Sequence, residues 1–254
     1  MNRAWSTARE DAHFILRCLR YRFRTERLQL ATISRLNLNG ATVLDIGANK
    51  GIYAFWLARA VGAGGRVVAF EPQPEMVDYI GRRRTQFGWR NVEIVNLALS
   101  DTNGSAQLSR QRVGDGSASL SRSNGETISV PTTKLDDLPE IAGVRFIKCD
   151  VEGHELKVFA GAERTIRTHR PVIQFEASPP DNRRLFEFFA DLGYSGVMLL
   201  GRRYLPPTNP EEIPHYKLGL AGHRDFLFFP PEAIGTIIPA DLSREFMLDS
   251  RATT

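Results

Sequence analysis

From residue 41 onward, short apolar runs alternate with stretches of helical period, and this alternation limits the fold more than any other property of the chain. ATVLDIG is an apolar run, IYAFWLARAVG has helical spacing, and RVVAFEP is a second apolar run ending in an acid. PEMVDYIGRRRTQFG then reads as a helix and VEIVNLALSD as a third strand. Strands separated by helices at this spacing form parallel βαβ units with both sheet faces covered, joined by right-handed crossovers. The pattern resumes with VRFIKCD as a fourth strand, a helix from Glu155 to about His169, PVIQFEAS as a fifth strand and a helix from Asn182 to Leu192. YSGVMLL and RDFLFFP are two further runs able to close the sheet. The expected class is α/β, a doubly wound sheet.

Two segments stand outside the alternation. Residues 7 to 38 read as one helix, because Thr7 and Glu10 form a capping box and Ala12, Leu16, Leu19, Phe23, Leu30 and Ile33 recur at three- and four-residue steps, with Asn39 and Gly40 as the stop. Glu26 interrupts that stripe. Residues 1–40 are therefore expected to be an accessory helix packed on the main domain, and the crowding of Arg17, Arg20, Arg22, Arg24 and Arg27 also allows a peripheral membrane contact. Between about 102 and 136, GSAQLSR and TISVPTTKL look like an inserted hairpin around a Gly/Ser-rich tip from Gly114 to Gly125, either filler or a lid. The main domain would span 41–230, with a C-terminal tail from 231 to 254.

An apolar fraction of 42% excludes general disorder. No apolar stretch approaches the roughly 18 residues that span a bilayer, and the N-terminus is charged where a secretory signal is apolar, so a cytoplasmic protein is expected. Cys18 and Cys149 stand alone, which argues against a disulfide framework or a zinc site. The net charge of +4 raises nucleic acid as a partner only modestly, since the excess is local to the N-terminal segment.

In an open parallel sheet, ligands bind beyond the carboxyl ends of the strands. The first strand ends in Asp45-Ile46-Gly47 and turns through Asn49 to Gly51 into a helix. The dinucleotide pattern G-x-G-x-x-G is absent. A buried Asp45 repels a pyrophosphate but attracts an ammonium, so the turn favours an aminoacyl nucleoside. Glu71, 20 residues beyond Gly51, ends the second strand, where an acid accepts bonds from both hydroxyls of an unphosphorylated ribose, and Pro72 stops that strand. Asn96, Ala98 and their neighbours Leu97, Leu99 and Asp101 are candidates for the slot of the base. At the fourth strand's end, alternation brings Asp150, Glu152 and His154 to one side beside the reacting group, and any of the three suits proton removal from a hydroxyl. Glu176, ending the fifth strand, can complete an acceptor site, or a divalent-metal site, with Asp150 and Glu152; the reading without metal is taken.

VLDIGANKGIYAFWLA, VVAFEPQPEM, VEIVNLALSD and FIKCDVEGHELKVFAGAERTI closely resemble the FkbM family of S-adenosylmethionine-dependent O-methyltransferases, over about residues 41 to 178. The combination of D-V-E-G-x-E after the fourth strand with F-x-G-A carries the resemblance. It implies a class I methyltransferase, Rossmann-like sheet of order 3-2-1-4-5-7-6, mostly parallel with an antiparallel seventh strand. It further implies S-adenosyl-L-methionine as cofactor and a hydroxyl acceptor on a small molecule, sugar, glycolipid or polyketide. Asp45, Gly47, Asn49, Gly51, Glu71 and Asp150 fall on the family's motif positions, and His154 on one that varies. A long loop from Gly201 to His223, with Arg202, Arg203, Tyr204, His215, Tyr216 and Lys217, is expected to shape the acceptor pocket. An RNA methyltransferase and a non-catalytic nucleoside- or membrane-binding protein are the competing readings.

Overall fold

A computed structural model of the chain describes residues 2–122, 125–139, 141–177, 182–200, 203–205 and 224–237. The alternation becomes β1 (Thr42–Ile46), α3 (Ile52–Val61), β2 (Arg66–Phe70), α4 (Pro74–Phe87) and β3 (Val92–Val95), preceded by α1 (Asn2–Arg20) and α2 (Arg27–Arg35). Then come β4 (Ala98–Leu99), β5 (Gly104–Arg110), β6 (Glu126–Thr133), β7 (Val144–Cys149), α5 (Glu155–Ala160), α6 (Glu163–His169), β8 (Val172–Ala177), α7 (Asn182–Asp191), β9 (Ser195–Leu200), β10 (Arg203–Leu205), β11 (Arg224–Phe229) and α8 (Ile234–Ile237).

The main sheet runs β10-β9-β11-β8-β7-β1-β2-β3. Its strands β1, β2, β3, β7 and β8 pair in parallel, while β11 is antiparallel to both β8 and β9. With β10 set aside as an added edge, this is the order 3-2-1-4-5-7-6, antiparallel at the seventh strand, as the resemblance implies. No helix among the described residues is long and apolar enough to cross a membrane.

Pleating divides the strands between two cores. Leu44, Ile46, Ile147, Cys149, Ile173 and Phe175 point to one face, covered by α5, α6 and α7, where Phe159, Phe175, Phe189 and Phe228 meet ring to ring. Val43, Phe146, Val172 and Leu227 point to the other, beneath α3 and the N-terminal helices. On that second face the next positions are polar: Asp45 pairs with Lys148, Lys148 with Gln174, and one step further Glu176 with Asp225. The polar row lies where the strands end.

The N-terminal segment departs from the single helix expected over 7–38. It starts at Asn2, winds into a π turn over Tyr21–Thr25 closed by a bond from Glu26 N–H to the Tyr21 carbonyl (2.9 Å), and breaks at Glu26 before α2. The buried face of α1 is also not the expected stripe: Phe14 and Cys18 are buried, whereas Leu16, Leu19 and Phe23 are exposed. Phe14 packs among Phe55, Phe87 and Trp89, and Arg83 of α4 holds Glu10 and Asp11. Ring-to-ring packing with Phe55, Phe87 and Trp89 turns the Phe14 face inward.

The expected third strand splits, because the Asn96 amide turns back to donate to the carbonyls of Glu71 (2.9 Å) and Pro72 (3.1 Å). β4 then joins a separate sheet, β4-β6-β5, built by the inserted hairpin. The helix expected from Glu155 to His169 is likewise two, parted at Gly161, where a Cβ would lie 2.0 Å from the Ser100 carbonyl oxygen. From 231 the chain forms a short 3-10 turn and α8, whose Ile237 is buried, and Arg170 grips Glu232. The rest of the tail lies outside the described residues.

Candidate active site

A cavity of about 300 Å³ opens at the carboxyl ends of β1, β2, β7 and β8. Asp45, Gly47, Asn49, Glu71, Pro72, Ala98, Asp150, Glu152, His154 and Glu176 all line it. Gly51 and Asn96 do not: Gly51 takes a left-handed conformation to start α3, and Asn96 spends its amide on the β2 loop. Both were expected to bind the cofactor directly, and both shape the loops that do line the cavity.

The turn after β1 is held by two bonds, from Gly47 and Ala48 N–H to the Phe70 carbonyl, each 3.0 Å. Gly47 has φ +80°, and a Cβ there would sit 2.0 Å from the Asp150 carbonyl oxygen. Only glycine lets the two loops approach so closely. Asp45 is buried, and its Oδ2 has no hydrogen-bond partner among the described residues. Burial pushes its pKa up to about 7, even though Lys148 draws it down.

Glu71 accepts from the backbone amides of Asn49 (2.8 Å) and Gln73 (2.9 Å), one on each oxygen. Burial still raises it to about 7. Around it, Leu97, Ala98 and Leu99 form an apolar wall, and Ala118 and Leu120 of the flap face the same space. Asp101 lies outside the lining and receives the Ser100 hydroxyl (3.1 Å).

The flap is a closed cover over its described length. Its tip bonds to both loops: Gln73 Nε2 donates to the Asp115 carbonyl (3.1 Å), Gly114 N–H to Gln73 Oε1 (3.2 Å), and Ser119 Oγ to the Glu152 carbonyl (2.7 Å). Arg110 at its base binds Glu75 and Glu126. These bonds favour the lid over the filler reading.

The same contacts sort the expected bases. Glu152, held at φ +55°, gives its carboxylate to Arg122 of the flap. His154 is buried, with Ser100 Oγ 2.9 Å from Nε2 and Ser121 Oγ 3.1 Å from Nδ1. Burial lowers it to about 4, so it is a neutral bridge between flap and loop. Glu155 accepts from the amides of Val151 and Gly153 (3.2 Å each), which fixes the turn below them.

Asp150 and Glu176 remain facing the cavity, in a chamber that sequence reasoning did not foresee in full. Lys148, fully buried, donates to Asp150 (3.2 Å) and lies 5.0 Å from the centre of the Tyr53 ring. Burial alone would lower the lysine, but Asp150, Glu26, Asp225 and Glu176 together raise it, so it stays charged. Tyr53 donates to Glu26 and receives Gln174 (2.8 Å). Glu26 enters from the helix break, raised to about 7 by burial. Glu176 is raised to about 8, first by burial and then by Asp150 and its cross-strand neighbour Asp225. The lysine inside the apolar run FIKC and the glutamate inside an apolar stripe were the available signals. Among the described residues, no group of three His, Cys, Asp or Glu is placed to hold a metal ion. Arg122's grip on Glu152 turns that carboxylate to the flap instead of to Asp150 and Glu176.

Tyr204, expected at the acceptor pocket, lies on the edge strand β10 with its hydroxyl buried against Thr32 (2.7 Å). Arg203 is in the same strand, and Arg202, His215, Tyr216 and Lys217 lie outside the described residues.

Solved structures share this architecture. An FkbM methyltransferase from Methylobacillus flagellatus KT superposes with a TM-score of 0.53 at 17% identity, over 76% of this chain, which spans 45% of that one. A candidate rRNA methylase from Clostridium thermocellum gives 0.52 at 11% identity, over 79% of this chain and 92% of its own. Likeness at these identities speaks for the fold alone. No curated protein matches the sequence. The model of the methyltransferase FkbM domain matches residues 45–195, more than half of the chain, and the chain belongs to that family of methyltransferases.

Proposed function

We propose that this methyltransferase uses S-adenosyl-L-methionine and acts on a hydroxyl of a small molecule, sugar, glycolipid or polyketide-type acceptor. The observation that carries the reading is the buried, unpartnered Oδ2 of Asp45 in a cavity that Glu71, Asp150 and Glu176 also line.

The residues suit the cofactor. Asp45 would take its ammonium, which supplies the partner that a buried carboxylate oxygen needs. Glu71 has accepting capacity left on both oxygens for the ribose hydroxyls. Leu97, Ala98, Leu99, Ala118 and Leu120 would enclose the adenine, while Gly47, Asn49, Pro72 and Asp150 complete the lining. The volume lies within the range of small-molecule sites. Bound there, the cofactor supplies an electrophilic methyl group on a sulfonium.

Glu176 is the base of this proposal. Its pKa of about 8 gives an ionised fraction near neutrality together with strong basicity, a match suited to taking a hydroxyl proton. Asp150, anchored by Lys148, orients the hydroxyl, and the lysine offsets the negative charge gathered around it. Positioning and exclusion of water by the flap supply the rest.

The test has two stages. S-adenosylhomocysteine at about 100 times its Kd should stabilise the protein by roughly 2.7 kcal/mol in a melting experiment, and absence of a shift refutes the cofactor. A screen of hydroxylated acceptors read by mass then tests the reaction. Methylation of amines alone, or of RNA alone, refutes the hydroxyl acceptor.

A further inference from the structure

The large apolar side chains exposed among the described residues are Leu16 (64%), Leu19 (39%), Phe23 (62%) and Val113 (55%). They are not scattered. The first three stand along the outer face of α1 and its π turn, opposite the buried Phe14 and Cys18, and Val113 is at the flap tip. The inner face of this helix is already satisfied by the aromatic cluster, so the outer apolar stripe does nothing for folding.

Exposed arginines accompany the stripe. Arg20, Arg24 and Arg27 are exposed at neighbouring positions, and none has a carboxylate partner among the described residues. The acids of the segment are engaged elsewhere: Glu10 and Asp11 hold Arg83, and Glu26 turns inward to Tyr53. The positive charge continues into the cavity lining, to which Arg17 and Lys50 belong together with Tyr21. Arg17 of α1 and Asp115 and Gly116 of the flap tip line this same cavity.

We infer that this face of α1 docks on an anionic phospholipid bilayer, with Leu16, Leu19 and Phe23 entering the headgroup boundary and Arg20, Arg24 and Arg27 meeting lipid phosphates. A helix that is apolar on one stripe and basic beside it has the composition of an interfacial helix, and the arginines supply complementarity to an anionic surface. Docked in this way, the part of the cavity wall formed by Arg17 and Tyr21 is carried to the lipid surface, because those residues belong to the docking element itself. The inference concerns surface attachment and stands whether or not the cofactor and acceptor proposed above are correct.

Sedimentation of the full chain with vesicles of phosphatidylcholine, with and without phosphatidylglycerol, tests it. Binding is expected to the anionic vesicles, weakening with salt. The double substitution Arg20→Glu/Arg24→Glu should lower the partition at least about tenfold, and Leu16→Ser/Phe23→Ser should lower it also, with the melting temperature unchanged because all four side chains are exposed. Equal binding to neutral vesicles, or no binding, overturns the inference. So does anionic binding that both variants retain. Salt-sensitive RNA binding, or a dimer in size-exclusion chromatography, lost in these variants without any vesicle binding, would assign the face to another partner and equally overturn it.

Discussion

Tyr53 donates its phenolic hydrogen to Glu26, so the break in the N-terminal helix and the first turn of α3 meet inside the cavity. The same hydroxyl accepts from Gln174, so it joins the accessory helices, α3 and the sheet at one oxygen. Tyr53→Phe leaves Glu26 and the Gln174 amide without that partner. A loss of about 1–3 kcal/mol in urea unfolding is expected, together with a raised acceptor KM and an unchanged Kd for S-adenosylhomocysteine. A cofactor affinity that fell in parallel would place Tyr53 in a different role.

Glu176 must lose its proton to act as a base. Activity should therefore rise with pH through about 8, and Glu176→Gln should lower turnover by at least about 100-fold while cofactor binding persists. Asp225 faces Glu176 across the strands and pushes its pKa up. Asp225→Asn should thus move the rising limb to lower pH. A limb that does not move in this variant removes Glu176 from the proposed step.

Asp45 predicts a proton on the move during binding. With its pKa near 7, the free protein carries a partly protonated Asp45 at neutral pH. An arriving ammonium favours the ionised form, so cofactor binding should release protons and tighten as pH rises toward about 7. Calorimetry in buffers of different ionisation enthalpy measures the release, and Asp45→Asn should abolish it.

His154 couples the flap to pH with the opposite sign to a buried acid. Its folded pKa of about 4 lies below the ordinary value of 6.5, so the unfolded chain binds more protons between those values. Its contribution to stability is complete above about 6.5 and is lost as pH falls toward 4. His154→Gln should flatten the dependence of the melting temperature over that window, and a slope identical to that of the parent protein would contradict the assignment.

Gly47→Ala drives a Cβ to within 2.0 Å of the Asp150 carbonyl at a residue with φ +80°. The turn and the acidic loop cannot both keep their places. A destabilisation on the order of 3 kcal/mol is expected in denaturant unfolding, with loss of cofactor binding. Stability equal to that of the parent would show that the loops separate freely.

The sheet was legible because each βαβ unit is written locally: VVAF and FIKC announce strands whose neighbours follow from short, right-handed connections. The cavity was legible in part for the same reason, since Asp45, Glu71, Asp150 and Glu176 end strands that lie side by side. Lys148, Gln174 and Asp225 were missed as members of the site, although each is a polar residue at the face-determining position near its strand's end. Periodicity misled at α1. The segment carries two apolar stripes at helical spacing, and only the aromatic partners Phe55, Phe87 and Trp89, distant in sequence from Phe14, decide which one turns inward. Glu26 was seen to interrupt a stripe, but where it points depends on Tyr53, which no local pattern encodes.

The bonds that anchor α2 reach far along the chain: Gln29 Nε2 donates to Asp225 (2.6 Å), and Thr32 meets Tyr204. During synthesis, α2 cannot make these two bonds until strands β10 and β11 leave the ribosome, nearly two hundred residues later. A nascent chain halted before Asp225 would hold the cofactor turns of β1 and β2 and the carboxylates that end β7 and β8, but not the strand that pairs with Glu176. Completion of the acceptor end is therefore a late event in the life of each molecule, governed by the arrival of its antiparallel strand.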